Sequence, residues 1–296
     1  MSNYFTEQQQ LLAQMVRDFA EREIRPQMKH WDDHEVFPIE VMKKMGELGL
    51  LGIFIPEQYG GSGFGYNEYA TVLMVLGKVC GGVGLSVAAH NSLCTGHIYY
   101  HGSEAQKQKY LPDLAAGTKF GAYCLTEPDA GSDANSGKTR AKLSEDGKHY
   151  IINGQKMWIS NAGFCSVMIV FARIEGDKNI TGFIVENDAA NGITMGEEEH
   201  KLGIRASSTR QVFFNETKVP VENMLAGRGE GFKIAMNALN VGRIKLAAAC
   251  LDAQRRVTSN AISYANDRVQ FNTPIASFGA IRAKLAEMAT STYAGE

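Results

Sequence analysis

The 296-residue sequence is short of cysteine, proline and net charge. Its five cysteines, Cys80, Cys94, Cys124, Cys165 and Cys250, are scattered without C-x-x-C spacing. An odd, unpaired set argues against a disulfide framework or zinc cluster, and for buried thiols in a reducing compartment. A net charge of −2 leaves no electrostatic footprint for nucleic acid or an anionic membrane. The first ten residues, MSNYFTEQQQ, lack a basic stretch followed by an apolar run, so no signal peptide is expected. No uninterrupted apolar run reaches the ~18 residues of a membrane-spanning helix, and the expected location is cytoplasmic. No G-x-S-x-G, H-E-x-x-H or G-x-G-x-x-G occurs, so hydrolase, zincin and Rossmann readings have no local support. His90, His97 and His101 lack a neighbouring carboxylate cluster and read as core or rim histidines rather than metal ligands.

What is present is a large apolar fraction, 44%, with 21% charged residues, enough for a sizeable core. Residues 1–118 read as helical. Thr6–Gln9 and Ser103–Gln106 are capping boxes, and Leu11, Leu12, Met15, Val16 and Phe19 recur at helical spacing. The Gly60-Gly61-Ser62-Gly63 stretch reads as a turn, because no Lys-Ser/Thr follows it as in a phosphate loop. Over residues 119–228 the period switches to two, giving many short strands. Asn153-Gly154, between Tyr150-Ile151-Ile152 and Gln155-Lys156-Met157-Trp158, predicts a type I′ hairpin. Residues 229–296 return to helix: one long helix or two broken near Asn240, a loop over 267–274, and a last helix from Ser277. The predicted class is α+β: an N-terminal helical domain, a middle antiparallel β-barrel or sandwich, and the start of a C-terminal helical bundle.

The stretch Tyr123-Cys124-Leu125-Thr126-Glu127-Pro128-Asp129-Ala130-Gly131-Ser132-Asp133 begins as a strand and stops abruptly. Pro128 removes a ladder donor, and Asp129 and Gly131 favour a tight turn. The exit leaves N–H groups and hydroxyls at one sheet end, suited either to an ordinary loop or to the polar edge of a heterocycle or pyrophosphate. Trp158-Ile159-Ser160-Asn161 is a second such exit. Its indole is either a core tryptophan or a shield for a planar cofactor.

Together these motifs resemble the acyl-CoA dehydrogenase family. So do Lys156 to Asn161, Lys201-Leu202-Gly203-Ile204-Arg205 with Ser207 and Thr209, and Arg268-Val269-Gln270-Phe271. They follow the family's order over essentially the whole chain. The resemblance implies FAD, α,β-dehydrogenation of an acyl-CoA thioester, and electron transfer to electron-transfer flavoprotein. By residue, it implies Tyr123, Leu125 and Thr126 along the isoalloxazine edge, and Gly131 and Ser132 near the pyrophosphate. Ser132 also falls near the CoA pantetheine. Trp158 would cover one flavin face, with Ile159 and Ser160 near its N5. Arg268, Gln270 and Phe271 would reach the FAD of a neighbouring subunit, hence a homodimer or homotetramer. Asn240 and Arg243 would meet the CoA moiety.

The family's usual catalytic base is a late glutamate, so no catalytic residue is assigned here and the base is expected beyond Glu296. The alternative helix position holds Gly242, which has no carboxylate. Glu296 reads as an ordinary helix-face residue. Gly242 and Phe278-Gly279 resemble the very-long-chain branch, although Cys94 and His97 stand where that branch has glycines. On this reading the chain is C-terminally truncated and inactive by itself. The alternatives are a catalytically incomplete flavin- or CoA-binding fragment, or an oxidase on the same fold.

Overall fold

A computed structural model describes residues 5–295, so Glu296 lies outside the described residues. Seven α-helices come first: α1 Glu7–Phe19, α2 Met28–His34, α3 Ile39–Glu47, α4 Tyr66–Val79, α5 Gly81–Ala88, α6 Gly96–His101 and α7 Glu104–Ala116. Eight strands follow: β1 Gly121–Cys124, β2 Arg140–Leu143, β3 His149–Ser160, β4 Val167–Ile174, β5 Thr181–Glu186, β6 Ile193–Glu198, β7 Thr209–Pro220 and β8 Met224–Leu225. The chain then forms α8 Gly231–Asp267, the short strands β9 Val269–Gln270 and β10 Thr273–Pro274, and α9 Gly279–Gly295.

Both capping boxes form. The Thr6 hydroxyl accepts from Gln9 N at 3.2 Å, and Gln9 Oε1 accepts from Thr6 N at 3.1 Å. Ser103 and Gln106 do the same. The Gln106 amide then donates to the Glu222 and Met224 carbonyls, so the cap of α7 also fastens the helices to the sheet. Between α5 and α6 the helical chain loosens into a π-turn, Ala89–Thr95. Its His90 and Asn91 are fully buried, and His90 Nδ1 accepts from Gly121 N at 3.0 Å. Thus the π-turn is seated against β1.

The sheet runs β6-β7-β3-β2-β4-β5-β8, with β1 added on β4. It is mixed rather than antiparallel, because β1 and β2 both pair parallel with β4. In β4, Val167, Ile169 and Phe171 face the helices, while Met168, Val170 and Ala172 fill the interior of the β layer. Burial on both faces explains its nearly unbroken apolar run.

The Asn153-Gly154 hairpin does not form. Strand β3 continues through it, because both halves find one partner: Tyr150 pairs with Val219 and Ser160 with Thr209, all along β7. Asn153 is instead tied to Glu216, donating to its carboxylate at 2.6 Å and accepting from its N–H at 2.8 Å. Gly154 is required for close approach, since a Cβ there would lie 2.5 Å from Thr139 Oγ1. The stretch 231–266 is one helix without a break at Asn240. It also carries an 18-residue window of mean hydropathy 1.2, long and apolar enough to cross a membrane, which the search for uninterrupted runs overlooked. The predicted loop after α8 contains a small antiparallel β9–β10 hairpin, turned by Phe271 and Asn272 at φ 51° and 55°. Four cysteines are buried as expected, but Cys250 is exposed.

Candidate active site

The exit from β1 is built around a buried ion pair that the sequence reading missed. Glu127 N and Ala130 N each donate to the other's carbonyl at 3.1 Å, closing a turn over Pro128-Asp129. The turn aims the Glu127 carboxylate inward, where it accepts from Thr139 N and, at 2.7 Å, from Lys156 Nζ. Lys156 also donates to the Leu125 carbonyl at 3.2 Å. Both side chains are buried, at 5% and 1% exposure. Burial pushes the Glu127 pKa up, but the Lys156 ammonium and the N–H donors outweigh it and hold the carboxyl below its usual range. Burial lowers the Lys156 pKa against the pull of Glu127. The pair fixes β1's exit to β3, and Met157 N extends the junction by donating to the Thr126 carbonyl at 2.9 Å. Its signal was in the sequence: Lys156 has the same strand parity as buried Ile152, so its charge had to face inward.

Two residues beyond Lys156, strand β3 bulges. Lys156 pairs with Val212 but Ile159 with Arg210, so β3 holds one extra residue there. Trp158 takes a left-handed φ of 57° and is 60% exposed. A bulge re-aims a side chain, and here the indole is turned out to solvent while Ile159 stays buried. Asn161 then anchors the strand end, donating from Nδ2 to the Ser86 and Gly121 carbonyls at 3.1 and 3.2 Å. The Lys201–Thr209 stretch approaches the same corner: Ser207 Oγ meets Ser86 Oγ at 3.0 Å, and Arg205 pairs with Glu35 at 3.0 Å.

These contacts bring Tyr123, Leu125, Thr126, Trp158, Ile159 and Ser160 to one edge of the β layer. Three features there suit a planar ring with a polar rim and a phosphate tail. Tyr123 Oη is buried without a hydrogen-bond partner. Gly131 has open space around it, and Ser132 is exposed next to it. The exposed indole supplies a stacking face.

From Ser160 a cavity of about 900 Å³ runs toward the helices, walled by Leu85 and Leu93, by Gly242 and Arg243 of α8, and by Glu287 of α9. The Arg243 guanidinium donates to the Asn240 side chain at 2.7 Å. A Cβ on Gly242 would find only the Lys245 side chain, 4.0 Å away, so this helix face is open. Among the described residues Glu287 is the one carboxylate on the cavity wall. Arg268, Gln270 and Phe271 are not joined to this site. Arg268 N donates to Tyr264 of α8, the Gln270 side chain donates to the Val269 carbonyl, and Phe271 is 90% exposed.

The arrangement is helical–β–helical, with an exposed tryptophan and a polar strand exit at the β layer and an apolar cavity beside the helices. Family models agree: the acyl-CoA dehydrogenase N-terminal, middle and C-terminal domains match residues 6–118, 122–217 and 229–296. The chain belongs to the acyl-CoA dehydrogenase family. Helix α8 falls within the C-terminal match and is a helix of that domain.

A short-chain-specific acyl-CoA dehydrogenase of Clostridium acetobutylicum is 44% identical, with 96% of this chain and 75% of the relative covered. The butyryl-CoA dehydrogenase structure from Megasphaera elsdenii superposes with a TM-score of 0.93 at 39% identity, covering 99% of this chain and 78% of that one. An acyl-CoA dehydrogenase complexed with FAD, from Bacillus anthracis, gives 0.92 at 40% identity, covering 99% and 50%. The chain likewise spans 49% of a probable acyl-CoA dehydrogenase of Bacillus subtilis. Two of these names are short-chain or butyryl, and none supports the very-long-chain branch read from Gly242 and Phe278-Gly279.

Proposed function

We propose that this protein carries out FAD-dependent α,β-dehydrogenation of an acyl-CoA thioester, giving the trans-2-enoyl-CoA and passing electrons to electron-transfer flavoprotein. The observation that carries this is the opening of the cavity under Gly242 and Arg243 onto Ser160, at the end of the strand that carries Trp158. Bound there, FAD would supply the hydride acceptor for the substrate's β-carbon. Tyr123, Leu125, Thr126, Ile159 and Ser160 hold the ring edge, Trp158 covers a ring face, and Gly131 and Ser132 leave room for the pyrophosphate. Asn240 and Arg243 bind the CoA moiety, an arginine being suited to phosphate. Packing the ring against Trp158 excludes water, which strengthens each polar contact to the developing enolate-like charge.

The α-proton requires a carboxylate base. Gly242 offers none, and among the described residues Glu287 is the one carboxylate on the cavity wall, so no residue is assigned as the base. Arg268, Gln270 and Phe271 serve the FAD of a second subunit in a homodimer or homotetramer. The match of all three family domains favours the dehydrogenase over a non-catalytic binding module.

The test is to purify the protein with FAD and add acyl-CoA with an artificial electron acceptor. A yellow protein whose 450 nm band bleaches on acyl-CoA addition is expected. A protein that stays colourless after FAD is added sinks the reading, and hydrogen peroxide formed in step with enoyl-CoA would replace it by the oxidase.

A further inference from the structure

The cavity wall holds one buried cation with no carboxylate partner. Lys245 is 8% exposed on the inward face of α8, in line with buried Ile234, Ala248 and Asp252. Among the described residues it makes no ion pair. Its Nζ donates to the Ala88 carbonyl at 3.0 Å and to the Ser92 hydroxyl. An ammonium has three protons to place, and no acceptor takes the third.

The carbonyl it donates to is already shared. The Ala88 carbonyl already receives the Tyr69 hydroxyl at 3.0 Å and the Ser92 hydroxyl at 2.8 Å. Three donors therefore converge on an oxygen with two lone pairs. Ser92 also walls a second cavity of about 410 Å³, on whose side His97 stands. Both ring nitrogens of His97, and Tyr123 Oη beside it, are buried without partners. Burial among apolar groups pushes the Lys245 pKa down to about 7, the mark of a cation that lacks a counter-charge. A site with surplus donors and no anion is completed by an anionic acceptor, not by a hydrocarbon tail.

We propose that Lys245 is a specificity-determining residue and that the cavity takes acyl thioesters whose acyl chain ends in a carboxylate. The methylenes lie along Leu85, Leu93 and Ala89, and the terminal carboxylate receives the free Lys245 proton beside Ser92. The inference rests on the acyl-thioester reading above.

The experiment compares an ω-carboxyacyl-CoA with an alkyl acyl-CoA of equal chain length on the FAD-loaded full chain. It reads both the flavin absorbance shift on binding and kcat/KM. A preference of roughly tenfold or more for the carboxylated thioester is expected from one charge-assisted hydrogen bond. Lys245→Met, an apolar replacement of similar length, is expected to reverse the preference. Lys245→Gln, which keeps donors but loses the charge, is expected to leave the two substrates within a few-fold. Equal preference in the parent, or an unchanged ratio in both variants, overturns the proposal. Alkyl thioester bound and turned over without the carboxylated one sinks this proposal alone. Binding of neither sinks the dehydrogenase reading with it.

Discussion

The two walls of the cavity are built on opposite principles. On the β side the strand exits are tied together: Glu127 accepts from Lys156, the Asn161 amide donates to Ser86 and Gly121, and the Thr126 carbonyl accepts from Met157 N. On the α8 side the wall is apolar and open, with Ile244 and Leu246 68% and 56% exposed and a single amine lacking a counter-ion. The β wall is rigid before any ligand arrives, which suits a cofactor edge that must be positioned to within an ångström. The α8 wall is underdetermined, which suits a surface whose partners arrive with substrate.

The largest effect should come from cutting the β network. Lys156→Met leaves the Glu127 carboxylate buried and uncompensated, and is expected to cost about 3–5 kcal/mol in urea unfolding. Adding Glu127→Gln should recover much of that, because no charge then remains buried. A Lys156→Met protein within about 1 kcal/mol of the parent would mean the β wall is not held by this pair. The pH dependence has a definite sign. The folded Glu127 carboxyl lies below its ordinary value, so its contribution is present above the unfolded carboxylate pKa. It is lost as pH falls through the folded pKa. Denaturant midpoints should therefore drop on acidification in the parent, and drop less in the double variant.

Second in size is the bulge. Trp158 combines a φ of 57° with an exposed indole, a strained arrangement that a folded sheet alone does not reward. Trp158→Gly is expected to raise stability by up to about 1 kcal/mol while weakening FAD retention, read as flavin lost on gel filtration. Loss of both together would make the tryptophan a structural residue.

How far the sequence foretold these walls depends on how local each signal was. The capping boxes at Thr6 and Ser103 are complete within four residues and appear as expected. The α+β class follows from the change of period, which survives any choice of register. Asn153-Gly154 was misread because strand or turn there is decided by β7, some sixty residues away, which offers a partner to both halves of β3. The parallel pairing of β1 and β2 with β4 is equally non-local. At the site, the motif residues stood out by resemblance, while the ion-pair role of Lys156, and Lys245 altogether, did not. Each is a charge at an inward parity position, on strand and helix respectively, and that is the physical signal that would have found them.

Third is the base. Glu287→Gln is expected to leave turnover within a few-fold of the parent, since Glu287 stands exposed at the rim of the α8 wall. A loss of about a hundredfold or more, the scale of a removed general base, would make Glu287 the base.

The smallest effect on stability should come from the α8–α9 connection. Arg268 is exposed and its side chain makes no hydrogen bond among the described residues. Arg268→Ala is therefore expected to change unfolding free energy by no more than about 0.5 kcal/mol, the range for surface sites. If its guanidinium serves a second subunit's pyrophosphate, FAD affinity should nonetheless fall, and fall only in the assembled oligomer. The two readouts separate cleanly because a residue that contributes nothing within its own chain has no other route to the cofactor. Unchanged FAD affinity in an intact oligomer would leave the flavin wholly to the β wall and remove the cross-subunit role.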